Sequence, residues 1–148
     1  MLQSNCNILT RQVTNAQYRK NRRGTFNLTV HVIFVTKYRR KVLTDAMLKS
    51  LEKYFTDILG KWNSYFVEFN GESDHVHLLI NYTPDKRLSD LIGNLKSSSC
   101  KNLWRDYPEL SNTYQKKVLW TPSYFASSCG GVTIEQLERY VQSQDRPG

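Results

Sequence analysis

From Thr25 onward, apolar residues fall into periods that change along the chain. Phe26, Leu28, Val30, Val32 and Phe34 recur at every second position, which predicts a strand with one face firmly buried. Its other face carries Asn27, Thr29, His31, Ile33 and Val35, and it runs into the basic segment Lys37-Tyr38-Arg39-Arg40-Lys41. Thr44 caps a helix on which Leu48, Leu51, Phe55, Ile58 and Leu59 follow the 3.6-residue period, with Asp45 at the positive end and Gly60 as the stop. Tyr65, Val67 and Phe69 alternate again, Asn70-Gly71-Glu72-Ser73 reverses the chain, and Asp74 to Tyr82 returns as the second arm of a hairpin. Leu88, Leu91, Ile92 and Leu95 mark a second helix continuing toward Trp104. Val118 to Ser127 reads as a last strand, which Pro122 confines to an edge or makes irregular. After Gly130-Gly131, Thr133 and Gln136 stand at capping-box spacing and open a terminal helix through Ile134, Leu137 and Val141.

The order β-α-β-β-α-β plus a helix predicts an α+β fold of the ferredoxin-like, RRM-like kind: an antiparallel sheet with two helices on one face and the other face open. With 148 residues, one core suffices, and residues 25–148 are expected to form a single domain. Residues 1–24 are polar, rich in Asn, Gln and Arg and without period, and are expected to be a flexible basic arm. Charge sharpens this division. The net charge is +8, yet residues 1–44 hold nine basic and no acidic residues, while residues 45–148 hold twelve basic and thirteen acidic ones. Such an excess suits a polyanion, either nucleic acid or an anionic membrane surface. No apolar run approaches the roughly 18–20 residues of a membrane span, and Met1 to Asn21 lacks the apolar region of a secretory signal. A cytoplasmic protein without membrane insertion is therefore expected. Cys6, Cys100 and Cys129 are odd in number and widely spaced, which predicts reduced structural thiols rather than a disulfide framework or a zinc pair.

His75 and His77 stand two apart on a predicted strand, so both point from one face while Val76, Leu78 and Ile80 point to the core. Two adjacent imidazoles can bind one metal ion; taken alone, the same spacing also describes two polar residues facing solvent. On the terminal helix, Tyr140 and Gln144 are one turn apart and share a face, so a phenol and an amide oxygen can approach one ion. The bland alternative places Tyr140 in the buried stripe with Leu137 and Val141. His31 is expected at an interface or on the polar face rather than as a further ligand. Lys37, Arg39, Arg40 and Lys41, with Tyr38 interleaved, are the candidates for contact with nucleic-acid phosphates, and Arg19, Lys20, Arg22 and Arg23 extend that surface.

Four ordered blocks are more specific than any of these features alone. His31 to Arg40, Asp74 to Ile80, Leu119 to Phe125 with Gly130-Gly131-Val132, and Tyr140 to Gln144 together resemble the single-tyrosine HUH transposases of the IS200/IS605 insertion sequences, over about Arg23 to Gln144. The resemblance implies that His75, His77 and Gln144 hold Mg²⁺ or Mn²⁺ and that Tyr140 is the nucleophile. It implies a substrate of single-stranded DNA beside hairpins at element ends, cut to a 5′-phosphotyrosine and a free 3′-hydroxyl and then rejoined. It also implies a homodimer that exchanges the tyrosine helix, with Gly130-Gly131 as a candidate hinge. Imidazoles suit Zn²⁺ equally, so the choice of Mg²⁺ or Mn²⁺ comes from the family. A tyrosine with a pKa near 10 is only about 0.1% ionised at neutral pH and needs activation. Two rivals remain at this level: a non-catalytic single-stranded nucleic-acid-binding module of RRM-like fold, and a hydrolytic two-histidine phosphodiesterase, for which three histidines leave no second motif.

Overall fold

A computed structural model describes residues 18–22, 24–128 and 134–144. Its strands are β1 (Arg19–Asn21), β2 (Gly24–Phe26), β3 (Leu28–Val35), β4 (Tyr65–Gly71), β5 (His75–Tyr82) and β6 (Phe125–Ser128). The helices are α1 (Asp45–Lys61), α2 (Leu88–Asp106) and α3 (Ile134–Ser143). Strands β4, β5, β3 and β6 lie side by side in that order, all antiparallel, so β3 and β5 are the central pair. Period-2 alternation sends Val30, Val32 and Phe34 of β3, and Val76, Leu78 and Ile80 of β5, to one face. There they meet Leu51, Phe55 and Leu59 of α1 and Leu91, Ile92 and Leu95 of α2, the ferredoxin-like core predicted from the pattern.

Several boundaries differ from the sequence expectation, each for a local reason. The first strand breaks at Asn27, and β2 pairs instead with β1, inside the stretch assigned to the arm. Arg19 ties this ribbon down: its guanidinium lies over Phe26 (5.3 Å) and Tyr65 (5.2 Å) and donates to the Asn63 carbonyl (2.8 Å). Helix α1 continues past Gly60 and ends where Asn63 adopts a left-handed φ of 52°. The Asn63 and Ser64 amides then donate back to Gly60 and Leu59, a Schellman-type stop that asparagine tolerates. In β4 a register shift between Phe66 and Glu68 interrupts the expected Tyr65, Val67, Phe69 alternation. The bulge turns Phe66 and Phe69 both toward Phe55, with ring centroids 6.2 and 5.9 Å from it. The hairpin turn is Glu72 to Asp74, because Asn70 and Gly71 still pair with His77 and Val76. The last strand is split: Trp120 bridges Thr36, the chain bends through Pro122, and only β6 joins the sheet edge.

The second sheet face is not left open. Helix α3 lies on it, with Tyr140 and Val141 packed against Ile33, Val35 and Phe125. Met1 to Gln17, Arg23, the Gly130-Gly131 hinge and the Thr133 part of the capping box fall outside the described residues, as do the side chains of Ile134 and Leu137. Among the described residues no helix is long and apolar enough to cross a membrane, and Cys100 is a free thiol whose pKa burial pushes up.

The bend before β6 gathers its carbonyls on one side chain, with the Thr121 hydroxyl also donating to the Ser123 carbonyl (3.3 Å). The Lys96 ammonium donates to the carbonyls of Thr121 (2.7 Å), Pro122 (3.0 Å) and Ser123 (3.2 Å), satisfying backbone that no ladder serves. Partial burial lowers the Lys96 pKa, but its three acceptors hold the charged form in place. Lys96→Met is expected to lower unfolding free energy in urea by about 1–3 kcal/mol through the orphaned carbonyls. Unchanged stability would mean that water serves these carbonyls equally well.

Candidate active site

His75 and His77 both project from the face of β5 that bears Leu79, away from the helices. Each has a partner that orients its ring. His75 Nδ1 lies 2.8 Å from Asp74 Oδ1, and Arg39 Nε lies 3.5 Å from the other carboxylate oxygen, so Asp74 joins an imidazole to a guanidinium. The His75 Nε2 is thereby left outward for a ligand. His77, 2% exposed, hydrogen-bonds through Nε2 to Nδ1 of His31, which is fully buried. The two rings are near parallel, 21° apart, with centroids at 4.4 Å. Burial lowers the His31 pKa to about 4. Burial, followed by the charges of His31 and His75, lowers that of His77 to about 3. Both rings are therefore neutral at pH 7, the protonation state that ligates metals.

A cavity of about 430 Å³ opens in front of this pair, bounded by Arg39, Asn70 and Glu72 and, from α3, by Glu138, Val141 and Gln142. Tyr140 and Gln144 are not among its walls. As predicted, they share one helical face, and they meet at Ser123: its hydroxyl donates to Gln144 Oε1 (3.0 Å) and stands 3.4 Å from the Tyr140 hydroxyl. Tyr140 packs on Phe125 with centroids 5.3 Å apart, and burial pushes its pKa up, the Ser123 contact acting weakly the other way. At about 100° per residue, Glu138 and Gln142 lie roughly 160° around the helix from Tyr140. The structure thus brings together His75 with His77, and Tyr140 with Gln144, but places the two pairs on different sides of α3.

Two imidazoles with oriented rings beside a cavity, that of His77 held neutral by burial, fit a divalent ion. Among the described residues no third His, Cys, Asp or Glu joins them in a metal-binding group, so a further ligand must be an amide, a water or a substrate oxygen. The expected DNA-contacting residues sit on a 3₁₀ turn, Lys37–Arg39, where the chain leaves β3 next to the start of β5. Tyr38 (φ 60°) and Arg39 (φ 52°) are left-handed there. The Tyr114 hydroxyl holds the Lys37 carbonyl (2.8 Å), and Thr36 donates to the Arg40 carbonyl (2.7 Å). Arg40 and Lys41 are exposed, and Lys37 lies 5.4 Å from the centre of the Tyr38 ring. Arg39 instead turns inward, pairing with Asp74 and donating to the Gln142 carbonyl (3.4 Å), so it belongs to the cavity wall. Sequence reasoning missed three partners. Asp74 was visible as the neighbour of His75, His31 only as a polar residue in an apolar strand, and Ser123 gave no signal at all.

A ferredoxin-like sheet with a paired-histidine strand at its centre and a tyrosine-bearing helix across its second face defines a domain of the transposase class. The model of the family described as IS200-like transposases matches residues 24–144, and the chain belongs to that family. It is 29% identical to the ISDra2 transposase TnpA of Deinococcus radiodurans over 92% of this chain and 97% of that one. It is 24% identical to the transposase of the IS200 element of Salmonella typhimurium, over 80% and 78% of the two chains. A transposase crystal structure from Deinococcus radiodurans superposes with a TM-score of 0.81 at 29% identity, over 87% of this chain and 99% of the other. A REP-associated tyrosine transposase, solved bound to a REP hairpin, shares the fold with a TM-score of 0.51 at 13% identity. Membership places the chain among transposases rather than RNA-recognition modules.

The neutral histidines make a pH prediction. Their folded pKa values lie below the unfolded value near 6.5, so protons bind the unfolded chain first and stability is lost as pH falls below 6.5. Each ring contributes up to about 1.4 kcal/mol per pH unit between pH 6.5 and 4. Urea titrations at stepped pH should show this slope, and a His31→Phe, His77→Leu double variant should lack it. An equal slope in both proteins would mean that neither ring is held neutral by burial.

Proposed function

We propose that this transposase cleaves and rejoins single-stranded DNA at insertion-sequence ends through a 5′-phosphotyrosine on Tyr140, with Mg²⁺ or Mn²⁺ held by His75, His77 and Gln144. The observation that carries this reading is the oriented pair of imidazoles, His75 and His77, on a cavity bordered by the helix that bears the tyrosine. When bound, the ion polarises the scissile phosphate and fixes its orientation.

The residues account for the rest. Tyr140 Oη gives up its proton to solvent and attacks phosphorus, the bond from phosphorus to the 3′ oxygen breaks, and that oxygen takes a proton from solvent to become a 3′-hydroxyl. Reversal by another 3′-hydroxyl restores a phosphodiester, so no nucleotide energy source is needed. His75 and His77 present lone pairs, and Asp74 keeps the His75 ring turned outward. Exposed Arg40 and Lys41, with Lys37, contact backbone phosphates near the cavity mouth, and hairpin-bearing single strands are the expected partner. In the seat beside Ser123, Tyr140 is protonated and is not one of the cavity walls, a resting placement. Because one chain sets Tyr140 and Gln144 on the side of α3 away from its own histidines, the composite site is best completed by the helix of a second copy in a homodimer.

Incubation with end-labelled single-stranded element ends and Mn²⁺ should give a protein–DNA adduct that survives denaturing electrophoresis, and Tyr140→Phe should give none. An adduct in that variant would reassign the nucleophile. Mixing Tyr140→Phe with His77→Ala subunits tests completion between subunits. Random pairing makes half the dimers mixed, each with one intact site of two, so activity should return to about a quarter of wild type. A mixture as inactive as its components would place tyrosine and histidines in one chain.

A further inference from the structure

We infer that His31 is a positioning residue for His77, its hydrogen bond fixing which nitrogen of the His77 ring can ligate. This rests on the reading above that His77 holds a divalent ion. The register of the sheet creates the contact. His77 pairs with Ile33 across the β3–β5 ladder, and His31 is two residues along β3 on the same face, the diagonal neighbour of His77. The bond joins His77 Nε2 to His31 Nδ1.

A neutral imidazole carries one N–H and one lone pair, so a bond between two neutral rings sets both tautomers together. If His31 Nδ1 donates, the His77 proton must sit on Nδ1, and that nitrogen cannot ligate. If His77 Nε2 donates, His77 Nδ1 holds the lone pair that is free to ligate, and the proton of His31 sits on its Nε2. Ligation therefore selects the second arrangement, with His31 as the acceptor and His77 Nδ1 as the ligating atom. Asp74 does the same for His75 from the opposite side, leaving Nε2 of that ring outward. The two rings thus present different nitrogens, which suits two side chains standing two residues apart on one strand and converging on a single ion.

Stability alone does not explain His31. It is fully buried between Val30 and Val32 in sequence and Ile33 on its own face, and its Nε2 has no hydrogen-bond partner among the described residues. A leucine or phenylalanine would fill that place without the orphaned Nε2 of His31, but it would leave the buried His77 Nε2 without its partner. The polar ring is accounted for by what its other nitrogen does.

The test uses ¹⁵N-histidine-labelled full chain. In the metal-free protein a scalar coupling across the hydrogen bond should connect His31 Nδ1 and His77 Nε2, and its absence would overturn the inference without reference to metal. With Mg²⁺ added, His77 should show a protonated Nε2 and a ligated Nδ1; a ligated Nε2 would equally overturn it. His31→Phe should leave His77 free to exchange tautomers and weaken Mn²⁺ binding, measured calorimetrically, by about 10- to 100-fold. His31→Asn, whose carbonyl oxygen occupies the place of Nδ1, should restore the Nε2–H tautomer and most of the affinity. Wild-type affinity and a single tautomer in His31→Phe would refute the positioning role. Wild-type protein that shows the coupling but binds neither ion would refute the metal reading and leave the pairing of the two rings standing.

Discussion

The register between β3 and β5 is the constraint from which the site follows. These central strands are covered on one face by two helices, so Val76, Leu78 and Ile80 must alternate inward, and His75 and His77 have only the second face available. The same register sets His31 diagonally beside His77 and brings the end of β3, with Arg39, next to Asp74 at the start of β5. A slip of one residue would send both histidines into the helix layer and expel three aliphatic side chains, which the core does not permit. The hydrophobic alternation that holds the fold together therefore also aims the imidazoles.

Desolvation then does the electrostatic work. His31 and His77 are neutral because burial penalises their charged forms, and neighbouring His31 further disfavours a charge on His77. His75, at the strand end, keeps contact with a carboxylate that is itself tied to Arg39. One end of the pair is thus apolar and fixed, and the other is polar and linked to the 3₁₀ turn that carries the exposed basic residues. The same burial acts on Tyr140 in the opposite functional sense, because it favours the protonated phenol. Both effects keep His31, His77 and Tyr140 uncharged at neutral pH, although charged side chains stand around them.

Much of this was legible in the sequence because strand and helix periods are local. Alternation through β3 and β5, the Thr44 cap and the stripe of α1 and α2 needed no tertiary information, and the same-face placement of His75 with His77 and of Tyr140 with Gln144 followed from spacing alone. What was not legible depended on contacts between distant segments. The β4 bulge exists because Phe66 and Phe69 both have a place against Phe55, and the helix end at Asn63 rather than Gly60 reflects a cap that either residue type can make. The role of His31 required the strand register, and that of Ser123 required the Lys96 clamp on an irregular bend. The covered second face was missed for the same reason, since a ten-residue helix after a glycine pair carries no local statement of where it docks.

That helix differs in kind from the two that close the core. α1 and α2 interlock with each other and with both central strands through many buried side chains, whereas Tyr140 and Val141 of α3 meet only a small apolar platform, Ile33 and Val35 of β3 with Phe125 of β6. Its polar ties among the described residues include Arg39 to the Gln142 carbonyl, and Ser123 to Gln144 and Tyr140. Elements that must move are drawn from the weakly anchored part of a fold, while the groups they serve sit on the rigid part. The division here follows that rule. The histidines, which must hold their geometry, stand on the central strand. Tyr140, the nucleophile of the proposed reaction, stands on the helix that the sheet grips least.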